Sequence, residues 1–155
     1  MWTLKITTPS EMSRLASLLP EPCVIAIDGP LGAGKTVFAQ GLGQGLDIKE
    51  PIVSPTFTIA NQYIGVPSLL HIDLYRIDAH ELEPLGLEEE IEMWDGAVLI
   101  EWANKHPNVL PLHYLQVNIE IDQDGPLHRI VTVQCIGNTE PILSSWKSKW
   151  LHSNG

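Results

Sequence analysis

The chain has 155 residues, a length that one domain with its own hydrophobic core accounts for. Its formal charge is −10 and it carries only three arginines, Arg14, Arg76 and Arg129, which argues against tight direct binding to nucleic acid, where many phosphates must be neutralised. No apolar run approaches the ~20 residues of a membrane span, the first residues lack a signal-peptide core, and Cys23 and Cys135 form no CxxC pair; the expectation is a cytoplasmic protein with buried free thiols.

Residues 2–7 alternate weakly and predict a short strand. A helix start follows: Thr8 as N-cap, Pro9 at the first helical position and Glu11 closing a capping box. Met12, Leu15, Ala16 and Leu19 give that helix one apolar face, and it ends before Pro20. The run Cys23-Val24-Ile25-Ala26-Ile27-Asp28 is an apolar strand that empties into Gly29-Pro30-Leu31-Gly32-Ala33-Gly34-Lys35-Thr36, the pattern G-x-x-x-x-G-K-[ST] of a phosphate-binding loop. Glycines allow the backbone to curl so that successive N–H groups point at an anion. Thr36 is expected to open a helix reaching about Gly45, whose dipole favours the same phosphates, while Lys35 adds a point charge and the Thr36 hydroxyl is placed for Mg²⁺. Gly41 and Gly43 weaken that helix unless close packing needs them.

Residues 53–63 pass from a polar turn into a β-prone run, residues 65–67 supply a turn, and residues 68–73 form a second strand, so the pair predicts a hairpin. Alternation then places His71, Asp73 and Tyr75 on one side. The acid-rich region around Glu81 to Glu92 reads as a helical segment with a solvated face, broken at Pro84 and Gly86. Residues 97–101 are a buried parallel-type strand ending on Glu101, with Trp102 at its tip. Residues 115–122 and 129–135, separated by Asp124-Gly125, predict a second hairpin. The fold class is α/β: a single P-loop NTPase domain over residues 1–137, a mixed sheet flanked by helices with a C-terminal β-hairpin. Residues 138–155 form a weakly patterned extension, helical or partly ordered.

A P-loop ATPase needs a strand-end carboxylate for its Mg²⁺ shell and a group that orients water. Asp73 and Glu101 both end strands, and a charge at the end of a buried strand such as Glu101 needs a partner. For Asp73 a simple solvated cap stays open, as does a turn cap for Thr56 against γ-phosphate sensing, and a surface role for Arg76 against charge stabilisation. The six histidines show no zinc-ligand spacing. Asn104-Lys105-His106 is followed by Pro107, so the guanine-reading Asn-Lys-x-Asp element is incomplete and adenine is favoured.

Together the segments G-P-L-G-A-G-K-T (29–36), S-P-T-F-T (54–58), H-I-D-L-Y-R (71–76), L-G-L-E-E (85–89) and L-I-E-W (99–102) resemble the TsaE (YjeE) family in order and spacing, over about residues 7–137. The resemblance implies a bacterial ATPase that uses ATP/ADP and Mg²⁺ in the threonylcarbamoyladenosine modification of ANN-decoding tRNAs at position 37, working with TsaB and TsaD and meeting tRNA only through that complex. Carried onto this chain, Glu101, Lys35, Asp73 and Thr56 are the catalytic candidates. Gly29, Leu31, Gly32, Ala33, Gly34, Lys35, Thr36, Val37 and Trp102 are the nucleotide-binding candidates, and Thr36, Asp73 and Glu101 the metal candidates. The alternatives are a small-molecule P-loop kinase, disfavoured by three scattered arginines, and a non-catalytic nucleotide-dependent binding module.

Overall fold

The computed structural model describes residues 1–19 and 21–153. Seven strands form one mixed sheet: β1 (Trp2–Ile6), β2 (Val24–Asp28), β3 (Ala60–Tyr63), β4 (Leu69–Asp73), β5 (Ala97–Glu101), β6 (Tyr114–Ile121) and β7 (Arg129–Ile136). Their spatial order is β1-β7-β6-β2-β5-β4-β3. The central four, β6, β2, β5 and β4, run parallel, and both edges are antiparallel additions: β3 on β4, and β7 then β1 beyond β6. Both predicted hairpins are present in this pairing.

The helices are α1 (Pro9–Ser17), α2 (Lys35–Gly45), α3 (Ala79–Leu85), α4 (Leu87–Met93) and α5 (Glu140–Ser153). Covering both faces explains why β2 and β5 are almost continuously apolar. Alternate residues of β2 serve opposite layers: Ile25 and Ile27 pack in one core with Phe38, Leu42, Leu15 and Trp146, whereas Ala26 joins a second core with Ile72, Ile100, Leu87 and Ile91.

Local chemistry sets the helix ends. Thr8 caps α1, its hydroxyl accepting from the Glu11 N–H at 3.1 Å, with Pro9 in the first turn. The return bond of the expected capping box shifts by one residue, because the Glu11 carboxylate accepts from the N–H of Thr7 at 2.8 Å and from the Thr7 hydroxyl. These bonds hold the Glu11 carboxyl below its ordinary value. Ser17 is the last residue of α1, and the predicted stop at Pro20 lies outside the described residues.

Glycines 41 and 45 let α1 and α2 touch backbone to backbone. A Cβ on Gly41 would lie 2.7 Å from Ser13 Cα, and one on Gly45 would lie 2.9 Å from Ser17 Cα. Gly43 faces the Ile52 side chain instead. In the acidic region Pro84 sits inside the last turn of α3, so only Gly86, at φ 65°, makes the break between α3 and α4. Both cysteines are free and partly exposed, where full burial is the sequence expectation. The segment beyond 138 forms α5, whose Trp146 and Trp150 are buried. The Trp146 indole donates to the Leu15 carbonyl at 2.8 Å and meets Trp2 and Phe38 edge-on. Residues 154 and 155 of that extension lie outside the described residues.

Candidate functional site

The loop after β2 leads directly into α2, which opens at Lys35, one residue before the expected Thr36. Gly32 and Gly34 adopt φ 80° and 115°, left-handed conformations that a side chain would strain. Gly29 is needed for a different reason: a Cβ there would come within 2.6 Å of the Ile119 carbonyl oxygen on β6. A cleft of about 300 Å³ runs along residues 31–37 and is closed by Ser54, Glu101 and Trp102. Most of the nucleotide candidates therefore line one concavity. Gly29, Thr56 and Asp73 stand outside its lining.

Lys35 is buried, with its ammonium donating to the Gly29 carbonyl and to the Pro30 carbonyl at 3.1 Å. The ammonium also lies 4.1 Å from the centre of the Trp102 ring, a cation–π contact. Burial pushes its pKa below the ordinary lysine value, opposed by the negative field of Glu101, Asp28 and Asp73. Trp102 holds a left-handed backbone, φ 59°, and packs against Tyr75 with ring centres 4.8 Å apart and ring planes tilted by 43°. Lys105 in turn lies over Tyr75 and donates to its carbonyl at 2.6 Å.

Strand register brings the two predicted acids to one level. Asp73 and Glu101 are direct partners on the parallel pair β4 and β5, and Glu101 is also opposite Ile27 on β2. Both acids are buried. Asp73 accepts from the Thr56 hydroxyl at 3.0 Å and from the Tyr75 N–H at 2.9 Å, so the residue 54–58 loop and the turn after β4 are tied to the same carboxyl group. Ser54 and Thr56 share a further hydroxyl hydrogen bond of 2.6 Å. Glu101 and His71 share a buried hydrogen bond of 2.6 Å through Oε2 and Nε2. The other imidazole nitrogen, Nδ1, is buried without a hydrogen-bond partner among the described residues.

Thr36, Asp73 and Glu101 offer hydroxyl and carboxyl oxygens, the hard donors that suit Mg²⁺. Asp78, His80 and Glu81 also lie within 4.8 Å of one another, but they are exposed, and Asp78 and Glu81 form the capping box of α3. Arg76 is not in this group: its guanidinium covers the exposed Phe57 ring at 4.4 Å.

Two contributors, Asp28 and Arg129, are absent from the sequence expectation, and for a third, His71, alternation gives the side it shares with Asp73 but not its bond to Glu101, which depends on strand order. Asp28 secures the turn after β5, accepting from the Asn104 N–H at 3.0 Å and from Gln116 Nε2 at 2.7 Å. Arg129 donates to the Ala33 and Gly32 carbonyls at 2.9 and 3.1 Å. The one available signal for Asp28 is its polar side chain at the end of an apolar run. For the contact of Arg129 with the loop no local signal exists, since its partners there lie 96 and 97 residues away.

Comparisons with known proteins agree with this architecture. The profile of the family described as threonylcarbamoyl adenosine biosynthesis protein TsaE matches residues 6–131. A tRNA threonylcarbamoyladenosine biosynthesis protein TsaE of Bacillus subtilis is 39% identical over 145 residues, covering 92% of this chain and 88% of that protein. One of Nostoc is 44% identical over 122 residues, with 76% and 75% covered. The crystal structure of Bacillus subtilis YdiB superposes with a TM-score of 0.79 at 31% identity, covering 96% of this chain and 95% of that one. By profile, sequence and shape alike, the chain belongs to the TsaE family of threonylcarbamoyl adenosine biosynthesis proteins.

Proposed function

We propose that this protein is an ATPase that binds and hydrolyses Mg-ATP, releases ADP, and thereby supports threonylcarbamoyladenosine modification of tRNA by a TsaB-TsaD complex. The observation that carries the reading is the register of β4 and β5, which sets Asp73 beside Glu101 at the strand ends next to the phosphate loop. A glycine-rich turn without ligand has no need of a buried lysine and two buried acids.

In this reading the loop amides, the start of α2 and Lys35 bind the phosphates, drawing the Lys35 ammonium off the loop carbonyls and the Trp102 ring. Thr36, Asp73 and Glu101 would hold Mg²⁺, which would supply positive charge to offset the negative charge of the phosphates. Glu101, fixed by His71, orients the water whose oxygen attacks the γ-phosphorus. The bond to the β–γ bridging oxygen breaks, and phosphate and ADP leave. Thr56 reports on the γ-phosphate through its bond to Asp73. Turnover by the protein alone is slow, because no arginine among the described residues lines the cleft itself and a partner must order the Thr56 loop.

The −10 charge fits a protein that reaches tRNA only through its partners. No described helix is long and apolar enough to cross a membrane. The deciding experiment is threonylcarbamoylation of tRNA by purified TsaB and TsaD with the threonylcarbamoyl-adenylate donor, under multiple turnover. Wild type should sustain modification and Glu101→Ala should stop after about one round. If neither protein changes the yield, the coupling to tRNA modification is wrong.

A further inference from the structure

The phosphate loop is braced from the far side of the sheet by the C-terminal hairpin. Arg129, the first residue of β7, lies opposite Ile6 on β1 and Ile121 on β6, two strands away from β2. Among the described residues its guanidinium donates only to backbone carbonyls. Nε donates to Ala33 at 2.9 Å and Nη2 to Gly32 at 3.1 Å, while Nη1 donates to Pro126 at 3.0 Å and to His128 at 2.8 Å. One planar fork thus joins the phosphate loop to the turn between β6 and β7. A second brace lies beneath it, where Gly29 packs against the Ile119 carbonyl.

Outward-facing carbonyls of an anion-binding loop need donors as much as its inward N–H groups need the anion. The only cis peptide among the described residues is Val66-Pro67, so the peptide joining Ala33 and Gly34 is trans. In a trans peptide the C=O and N–H point in opposite directions. Holding the Ala33 carbonyl on Arg129 therefore turns the Gly34 N–H away from the guanidinium. The Ala33 N–H is already committed to the Pro30 carbonyl at 3.1 Å, which leaves the Gly34 amide as the donor whose direction this contact sets. With Gly34 at φ 115°, that peptide lacks the steric restraint a side chain would impose, so an external clamp has something to fix.

We propose that Arg129 is a positioning residue of the phosphate loop, holding the Gly32 and Ala33 carbonyls so that the Gly34 amide is set in place before the nucleotide arrives. The inference rests on the nucleotide reading of the loop. It assigns Arg129 to geometry and not to charge, because a lysine would keep the positive charge but cannot present Nε and Nη2 as a rigid pair.

The test is titration calorimetry of Mg-ADP against wild type, Arg129→Lys and Arg129→Met, alongside thermal unfolding without nucleotide. Arg129→Met should weaken ADP binding at least tenfold, Arg129→Lys should stay within about threefold of Arg129→Met, and the unfolding midpoints should move far less than the affinity predicts. Wild-type affinity in Arg129→Met overturns the proposal; wild-type affinity in Arg129→Lys alone assigns the effect to charge and also overturns it. If wild type itself does not bind ADP, the nucleotide reading fails, and amide hydrogen exchange of the nucleotide-free proteins still decides the clamp. Exchange at Ala33 and Gly34 should then be about tenfold faster in Arg129→Lys than in wild type, with the β6–β7 amides unchanged; equal exchange at the loop overturns it.

Discussion

Replacing His71 with leucine removes the hydrogen-bond partner of Glu101 while leaving the acid where it is, 3% exposed at the end of β5. A hydrogen bond to a buried acid contributes about 1.5–3 kcal/mol, and stranding one partner adds the cost of having stripped it of water. We expect His71→Leu to lower stability by about 3 kcal/mol. Glu101→Leu strands the imidazole instead, whose Nδ1 already lacks a partner among the described residues, and should cost about 2 kcal/mol. If the two losses were independent the double variant would lose about 5 kcal/mol. Because each single variant is destabilised mainly by the group it leaves behind, the double variant should lie within about 1 kcal/mol of wild type, a coupling of about 4 kcal/mol, above the ~0.5–3 kcal/mol usual for contacting residues. Urea unfolding at pH 7.5, followed by fluorescence, measures all four proteins, provided the dependence on denaturant stays constant. Additive losses would refute the argument. A recovered double variant that folds well but sustains no ATP hydrolysis would show that the pair is retained for chemistry at no gain in stability.

Two further predictions concern packing and titration. Gly41→Ala should destabilise by about 1–2 kcal/mol, because α1 must move off the new Cβ and the loss exceeds the ~1 kcal/mol gained in helix propensity, whereas Gly43→Ala, facing the movable Ile52 side chain, should be close to neutral. Calorimetric unfolding distinguishes them, and a Gly41→Ala protein more stable than wild type would be inconsistent with the helix contact. Burial pushes the Cys23 thiol from 9.0 up to about 12, so above pH 9.0 the unfolded chain releases this proton and the folded one keeps it. Stability that depends on Cys23 is therefore fully present below pH 9.0 and lost as pH rises toward 12; the gap between wild type and Cys23→Ala should change by about 1–2 kcal/mol from pH 8 to pH 10.5. Parallel pH curves for the two proteins would contradict this.

Local chemistry made much of the architecture legible. The β2 strand, its glycine loop and α2 follow from an apolar run, a spaced set of glycines and a helix-compatible continuation, all within 23 residues of one another. The two hairpins follow from alternation and turn residues. What alternation cannot say is which strand lies beside which. The contact of His71 with Glu101 requires β4 next to β5, and that of Arg129 with Ala33 requires the β6–β7 turn to fold over the loop. The helix of the tail, one of the two readings its sequence allows, is hard to see for a different reason. Its polar residues mask a face made of Leu143, Trp146 and Trp150, whose spacing of three and four is helical and whose partners, Trp2, Phe38 and Leu15, lie near the other end of the chain.

The strand order carries a consequence for synthesis on the ribosome. β2 finds its two neighbours only when β5 and β6 have been made, and β1 has no partner until β7, the last strand, has emerged. Arg129, too, reaches the loop only at that point, and Trp146 fills the core later still. A nascent chain of this protein therefore exposes two finished but unpaired strands through most of translation. The cleft along residues 31–37 is among the last features to take shape, so a ligand bound there cannot template early folding; it can only stabilise the chain once the final hairpin has closed.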